Sequence, residues 1–442
     1  MNQPRSDQAP DSAWQIQTLA DSARQLAERG ELKEAERIYR QILEAAPYHV
    51  RALNFLAVQA MTRGELDESE RHLEQALRAA PSRPILYQNL ALVHKARGDL
   101  DKALSLLDRA IALKSEHRTA YLHKGSILEA LGRQDEAVTA YWNAWLHFPN
   151  PERVANDEFS PPHLRKLVTH AAETIRSAQS RLFDEALTEV VKRHGAENMS
   201  RVLQAADVFI GRRPAGHLHS LQRPAFIYLP AVPPRPFFDR TDFPWIGELE
   251  SATGTIREEL KKVLASGEGL APYVQVEDGT DPQQWRELNG SRQWSSFHLY
   301  KAGSRVEANC ARCPETTRLL DSLPLPKIEG HAPEALFSIL QPGTQIPPHF
   351  GLANYKLVAH LPLIVPADCA IRVGNETRGW KEGECLVFDD SFQHEAWNRS
   401  QELRAVLILD VWNPLVTAAE REGVSALVAA GAAFNRKYRR ND

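Results

Sequence analysis

The chain has 442 residues, which at about 150 residues per domain suggests two to four domains. With 43% hydrophobic and 25% charged residues it has a globular composition, and 53 Lys and Arg against 57 Asp and Glu leave a net charge of −4. That balance gives no global electrostatic case for nucleic acid or an anionic membrane as partner. No long run of uncharged apolar residues is present, the start MNQPRSDQAPDSAW lacks the apolar core of a signal peptide, and four cysteines are too few for a disulfide scaffold, so a cytoplasmic protein with no membrane partner is expected.

The N-terminal third repeats with a period of 34. Gly30, Gly64, Gly98 and Gly132 mark it, and three of the four precede Glu-Leu or Asp-Leu. Five residues on stands a small residue (Ala35, Ser69, Ala103, Ala137), and four further a large one (Tyr39, Leu73, Leu107, Tyr141). Ala23, Ala57, Ala91 and Gly125 keep the same spacing, and Pro47, Pro81 and Pro149 close three units. This is the pattern of a helix-turn-helix unit used four times, with small residues for close helix approach, glycine for the turn and proline expected to begin the next helix. It resembles tetratricopeptide repeats over residues 16–149, an all-α solenoid whose concave surface is used to bind peptide or protein partners.

Residues 161–210 keep helical periodicity without the repeat and are expected to cap the solenoid. A loop rich in Pro, Gly and Arg follows, placing a boundary near residue 215, with 150–215 as cap and linker. A helix over 246–265 precedes short β-type runs at 295–300, 335–341, 356–365, 369–374, 383–389, 394–398 and 404–412. Such runs read as a sandwich or barrel over 222–417, of the double-sheeted jelly-roll kind that hosts small ligands in its mouth. A C-terminal helix or tail, 418–442, ends in the basic cluster Arg436, Lys437, Arg439 and Arg440, read as solvated.

His349, His360 and His394 fall near the ends of expected strands, where imidazoles suit iron, copper or zinc. A hairpin centred at Arg399 would set His394 opposite Arg404, putting a guanidinium suited to a carboxylate beside a metal.

These residues lie in two specific strings, PGT-x-x-x-PH-x-G (342–351) and FDDSF-x-HE-x-W (388–397), the latter with an Arg ten residues after its His. The stretch from Leu336 to Pro414, and more weakly back to FFDRTDFPW at 237–245, resembles the aspartyl/asparaginyl β-hydroxylase family. The resemblance implies a double-stranded β-helix (jelly-roll, cupin-like) oxygenase domain using iron(II), 2-oxoglutarate and dioxygen to hydroxylate a C–H bond, at the β-carbon of an aspartyl or asparaginyl residue or a related acidic or amide-bearing substrate. It implies His349 and His394 as metal ligands, with Gly351 where related oxygenases carry a carboxylate. Arg404 and Ser338 would hold the far carboxylate of 2-oxoglutarate, and His360 would approach its metal-binding end. Animal members carry arginines where this chain has Lys356 and Val358. Lys356 shares a strand face with His360 and is the candidate substrate-carboxylate contact.

Other features have plainer readings. Cys310 and Cys313 form a lone CxxC read as packing thiols, and Asp389 and Asp390 as turn-bonding carboxylates. Trp380, Trp397 and Trp412 read as core, while Trp294 stands near the expected mouth. Two alternative functions fit the same residues: a halogenase, with chloride in place of the missing carboxylate, and a non-catalytic binding or sensor protein built on the repeats.

Overall fold

The computed structural model describes residues 9–148, 161–275 and 283–439. The chain forms two compact units, Met1–Ala178 with Asn435–Asp442, and Gln179–Phe434.

In the first unit the repeat reading gives antiparallel helix pairs: α1 (Ala9–Glu28) with α2 (Leu32–Ala45), α3 (Val50–Thr62) with α4 (Leu66–Ala79), α5 (Pro84–Arg97) with α6 (Leu100–Leu113), and α7 (Arg118–Ala130) with α8 (Gln134–His147). The small column Ala35, Ser69, Ala103 and Ala137 is wholly buried, as is the large column Tyr39, Leu73, Leu107 and Tyr141. The period glycines sit at φ between +74° and +84° with open space where a Cβ would go, so the repeat needs their conformation and not their size. Gly125 is the opposite case: a Cβ there would enter the Tyr141 ring. The prolines do not begin helices as expected. Pro47 and Pro81 fall just after α2 and α4, where a residue without an N–H stops the helix, and among the eight repeat helices Pro84 alone opens one. Pro149 lies outside the described residues.

Helices α9 (Pro162–His194) and α10 (Ser200–Phe209) follow. The division between the units falls inside α9 rather than near residue 215. Val202, Ala205 and Ile210 pack with Ile227, Leu229, Val424 and Leu427, which draws α10 and the Pro-rich loop into the second unit. The C-terminal segment is not a solvated tail, because Val424, Leu427 and Phe434 of the helix Ala418–Tyr438 are buried. Its Lys437 pairs with Asp135 at 3.1 Å, and Arg440 lies outside the described residues. Among the described residues no helix is long and apolar enough to cross a membrane.

The second unit holds two antiparallel sheets. The larger has the order β1-β10-β7-β12-β5-β3-β2, with β4 on β3; the smaller is β6-β11-β8-β9. In chain order the strands are β1 (Phe237–Phe238), β2 (Ala271–Pro272), β3 (Trp294–Lys301), β4 (Ser304–Arg305), β5 (Ala335–Leu340), β6 (Thr344–His349), β7 (Lys356–Ile364), β8 (Cys369–Val373), β9 (Glu376–Gly379), β10 (Leu386–Phe388), β11 (His394–Asn398) and β12 (Arg404–Trp412). β6 carries Pro347 and Pro348 and escapes a propensity reading; it is tolerated because β6 is the edge of its sheet.

Period-two alternation divides the large sheet. Leu357, Leu361 and Leu363 of β7 and Leu407 and Leu409 of β12 pack under the helices Ile246–Ser251 and Thr253–Ser266, each burial contributing roughly 1.5–3 kcal/mol. Their alternate neighbours face the small sheet and line the space between the two.

Candidate active site

That space is a cavity of about 430 Å³. β6 and β11 pair in register at His349 and His394, whose rings lie 4.0 Å apart between centroids. Each Nδ1 is hydrogen-bonded to a backbone carbonyl two residues back, His349 to Pro347 at 2.8 Å and His394 to Phe392 at 2.9 Å. This fixes both tautomers with the proton on Nδ1 and leaves Nε2 as a lone-pair donor. Burial holds both rings neutral, His394 near 4 and His349, next to that ring, near 3. Two adjacent, oriented, neutral imidazoles could together hold a metal. Among the described residues no group of three or more His, Cys, Asp or Glu side chains is arranged to hold one.

The expected hairpin is absent. β11 belongs to the small sheet and β12 to the large one. Asn398 makes the change of sheet: its Nδ2 donates to the carbonyls of Leu340 and Glu402 and its Oδ1 accepts from Ser400 N–H. Arg404 therefore pairs with Leu340, and His394 and Arg404 line one cavity from opposite sheets.

Arg404 is 1% exposed. Its Nη1 donates to Ser338 Oγ at 3.4 Å, the guanidinium lies 4.8 Å from the Trp380 ring centre, and Nε has no partner. No described carboxylate pairs with it, and burial lowers its pKa to about 10. A buried cation without a counter-ion is costly, and the arrangement suits an arriving anion. Ser338 Oγ also accepts from Trp294 Nε1 at 3.1 Å. Trp380 Nε1 donates to His360 Nδ1 at 3.2 Å. An indole only donates, so the neutral His360 carries its proton on Nε2. Burial, followed by the charge of Arg404, keeps that ring far below its ordinary pKa.

Lys356, Val358 and His360 all face the cavity, as alternation requires. Lys356, however, is bonded through Nζ to Asp410 Oδ1 at 2.6 Å, both side chains being almost fully buried. Burial disfavours the ammonium, yet Asp410 and then Asp390 hold its pKa above the usual value. Asp410 was missed because its partner lies on the neighbouring strand; the only local signal was a carboxylate in the apolar run RAVLILDVW.

The two aspartates before His394 have different roles. Asp389 accepts from Ser391 N–H and Gln222 Nε2, a turn role as read. Asp390 instead lines the cavity, with Oδ1 unpartnered. Burial raises its pKa to about 6. Gly351 explains its position: a Cβ at 351 would overlap the Asp390 carboxylate, and Gly351 N–H donates to Asp390 O at 2.6 Å. The room left by the absent side chain is filled from the turn between β10 and β11. Trp294 reaches the cavity with Tyr273 stacked on it at 3.9 Å, and Trp285 lies 5.1 Å from His349. Trp397 and Trp412 are partly buried beneath Arg399 and Arg421, and Cys310 and Cys313 are buried beside β3.

The aspartyl/asparaginyl β-hydroxylase family model matches residues 250–414, and a tetratricopeptide repeat-like model matches 2–155. The aspartate β-hydroxylase domain-containing protein 2 of Xenopus tropicalis is 30% identical over 59% of this chain and 70% of its own length. The chain belongs to the aspartyl/asparaginyl β-hydroxylase family. The ornithine lipid ester-linked acyl 2-hydroxylase of Rhizobium tropici is 36% identical over 42% of this chain and 63% of its own length. The human aspartyl/asparaginyl β-hydroxylase is 35% identical over 42% of this chain and 24% of its own length. Of the two strings, His349, Gly351, Phe388, Asp390 and His394 line one cavity.

Proposed function

We propose that the protein is an iron(II)- and 2-oxoglutarate-dependent oxygenase that hydroxylates a C–H bond. The observation that carries this reading is the buried, anion-seeking Arg404 in the same cavity as two oriented, neutral imidazoles. His349 and His394 would hold iron through Nε2; Arg404 and Ser338 would hold the far carboxylate of 2-oxoglutarate, and His360 Nε2–H would donate to its other end. Iron and 2-oxoglutarate supply the dioxygen chemistry when bound, with succinate and carbon dioxide as co-products. The chain's own work is positioning and keeping the site dry, through Leu336, Val358 and Ile408 on the cavity wall. The Asp390 carboxylate stands where a side chain at residue 351 would begin, and its negative charge disfavours a chloride nearby, which speaks against the halogenase alternative. The family offers both aspartyl/asparaginyl β-carbons and lipid acyl chains as precedents for the hydroxylated position. The repeats would recruit a peptide or protein partner.

Replacing His394→Ala should abolish both iron(II) binding, measured by calorimetry under argon, and iron-dependent succinate formation. Retention of either would remove His394 from the ligand pair. Product mass with and without chloride separates hydroxylation from halogenation.

A further inference from the structure

The cavity is long, and its two ends differ in charge. Along β12, Arg404 and Asp410 face it six residues apart, about 20 Å at the usual strand rise. The Arg404 end is accounted for by the 2-oxoglutarate carboxylate. At the other end, the one cation among the described residues is already neutralised: Lys356 Nζ is bonded to Asp410 Oδ1, whose second oxygen accepts Glu334 N–H at 2.9 Å. A substrate carboxylate reaching Lys356 would have to break a buried ion pair and leave Asp410 uncompensated.

Two further carboxylates lie in the field of Lys356, and among the described residues neither is bonded to a lysine or arginine. Asp390 Oδ1 is buried and has no hydrogen-bond partner. Glu334 lines the cavity, accepts Ala302 N–H at 2.7 Å, and faces His298 Nε2 at 3.5 Å. Burial holds His298 near 4, so that ring is neutral and does not balance it. Beside them the Tyr273 ring, stacked on Trp294, is 40% exposed.

We propose that this half of the cavity receives a positively charged group of the substrate, an alkyl ammonium, between the Glu334 and Asp390 carboxylates and the Tyr273 face. The apolar chain carrying the C–H bond lies on Leu336 and Ile408, toward the two imidazoles. The assignment rests on the oxygenase reading above and reverses the expectation, drawn from Lys356, of an acidic substrate.

Hexylamine and hexanoate, equal in length and opposite in charge, test it on the full chain loaded with manganese(II) and 2-oxoglutarate under argon. Tryptophan fluorescence and calorimetry are the readouts, and 2-oxoglutarate is titrated separately. Hexylamine should bind at least ten-fold more tightly than hexanoate, and Glu334→Gln should weaken it at least five-fold. Asp410→Asn, which releases Lys356, should narrow the preference. Hexanoate binding as tightly as hexylamine, or Glu334→Gln leaving hexylamine affinity unchanged, overturns the assignment while 2-oxoglutarate still binds. Failure of 2-oxoglutarate to bind the wild-type chain would overturn the oxygenase reading, and this assignment with it.

Discussion

Arg404 and Gly351 are positions where function and packing pull apart. The guanidinium is buried without a counter-ion among the described residues, so Arg404→Met should raise the unfolding free energy by about 1–3 kcal/mol. The same change should lower 2-oxoglutarate affinity by roughly 100-fold, as loss of a charge-assisted contact of 2–5 kcal/mol implies. Urea titration and calorimetry on one preparation read both; a variant that loses stability would show that the charge is compensated. At Gly351 any Cβ overlaps the Asp390 carboxylate. Gly351→Ala should cost about 1–3 kcal/mol, and adding Asp390→Ala should restore most of it, a coupling visible in a double-mutant cycle. His349, His394 and Arg404 stand out in the sequence as candidates because few residue types suit metal and carboxylate chemistry. Asp410, Glu334 and Tyr273 escape it, since their importance comes from strands β3, β5, β7 and β12 meeting, a non-local event.

At the scale of elements, two glycine classes in the repeats should separate by experiment. Gly98 closes α5 in a left-handed conformation with nothing near its missing side chain, so Gly98→Ala should cost about 1 kcal/mol. Gly125→Ala would drive a methyl into Tyr141 and should cost more, about 1–3 kcal/mol or beyond. Equal unfolding midpoints for the two would contradict this division. The repeat was legible because one unit recurs and noise does not. The strand register was less so: the runs at 394–398 and 404–412 were found, but their membership of different sheets depends on the Asn398 side chain, whose partners Leu340 and Glu402 no local pattern reveals.

At the scale of the whole molecule, several histidines are held neutral by burial. His123 and His298 stand near 4, as does His394, and His349 near 3. Unfolding returns each to about 6.5, so the unfolded chain binds more protons between that value and the folded ones. Their contribution is fully present above about pH 6.5 and is lost progressively as pH falls toward 4. Asp389, raised to about 8, and Asp390, raised to about 6, both mainly by burial, have the opposite sign: their folded forms bind a proton first, so they stabilise as pH falls. The histidines outnumber them, and the urea midpoint should decline from pH 7 to pH 5. His123→Leu should make that decline shallower; an unchanged slope would show that His123 is not the neutral group described.

The edge strand β6 has a further consequence for the rim of the site. An unpaired strand edge offers a row of backbone donors and acceptors to any passing chain, and is a route to aggregation. β6 carries one of the two paired imidazoles, so it must stay at the border of its sheet and cannot be hidden under another strand. Pro347 and Pro348 take two donors out of its six residues. The segment that opens the pocket to its ligands is thereby a poor template for a neighbouring molecule.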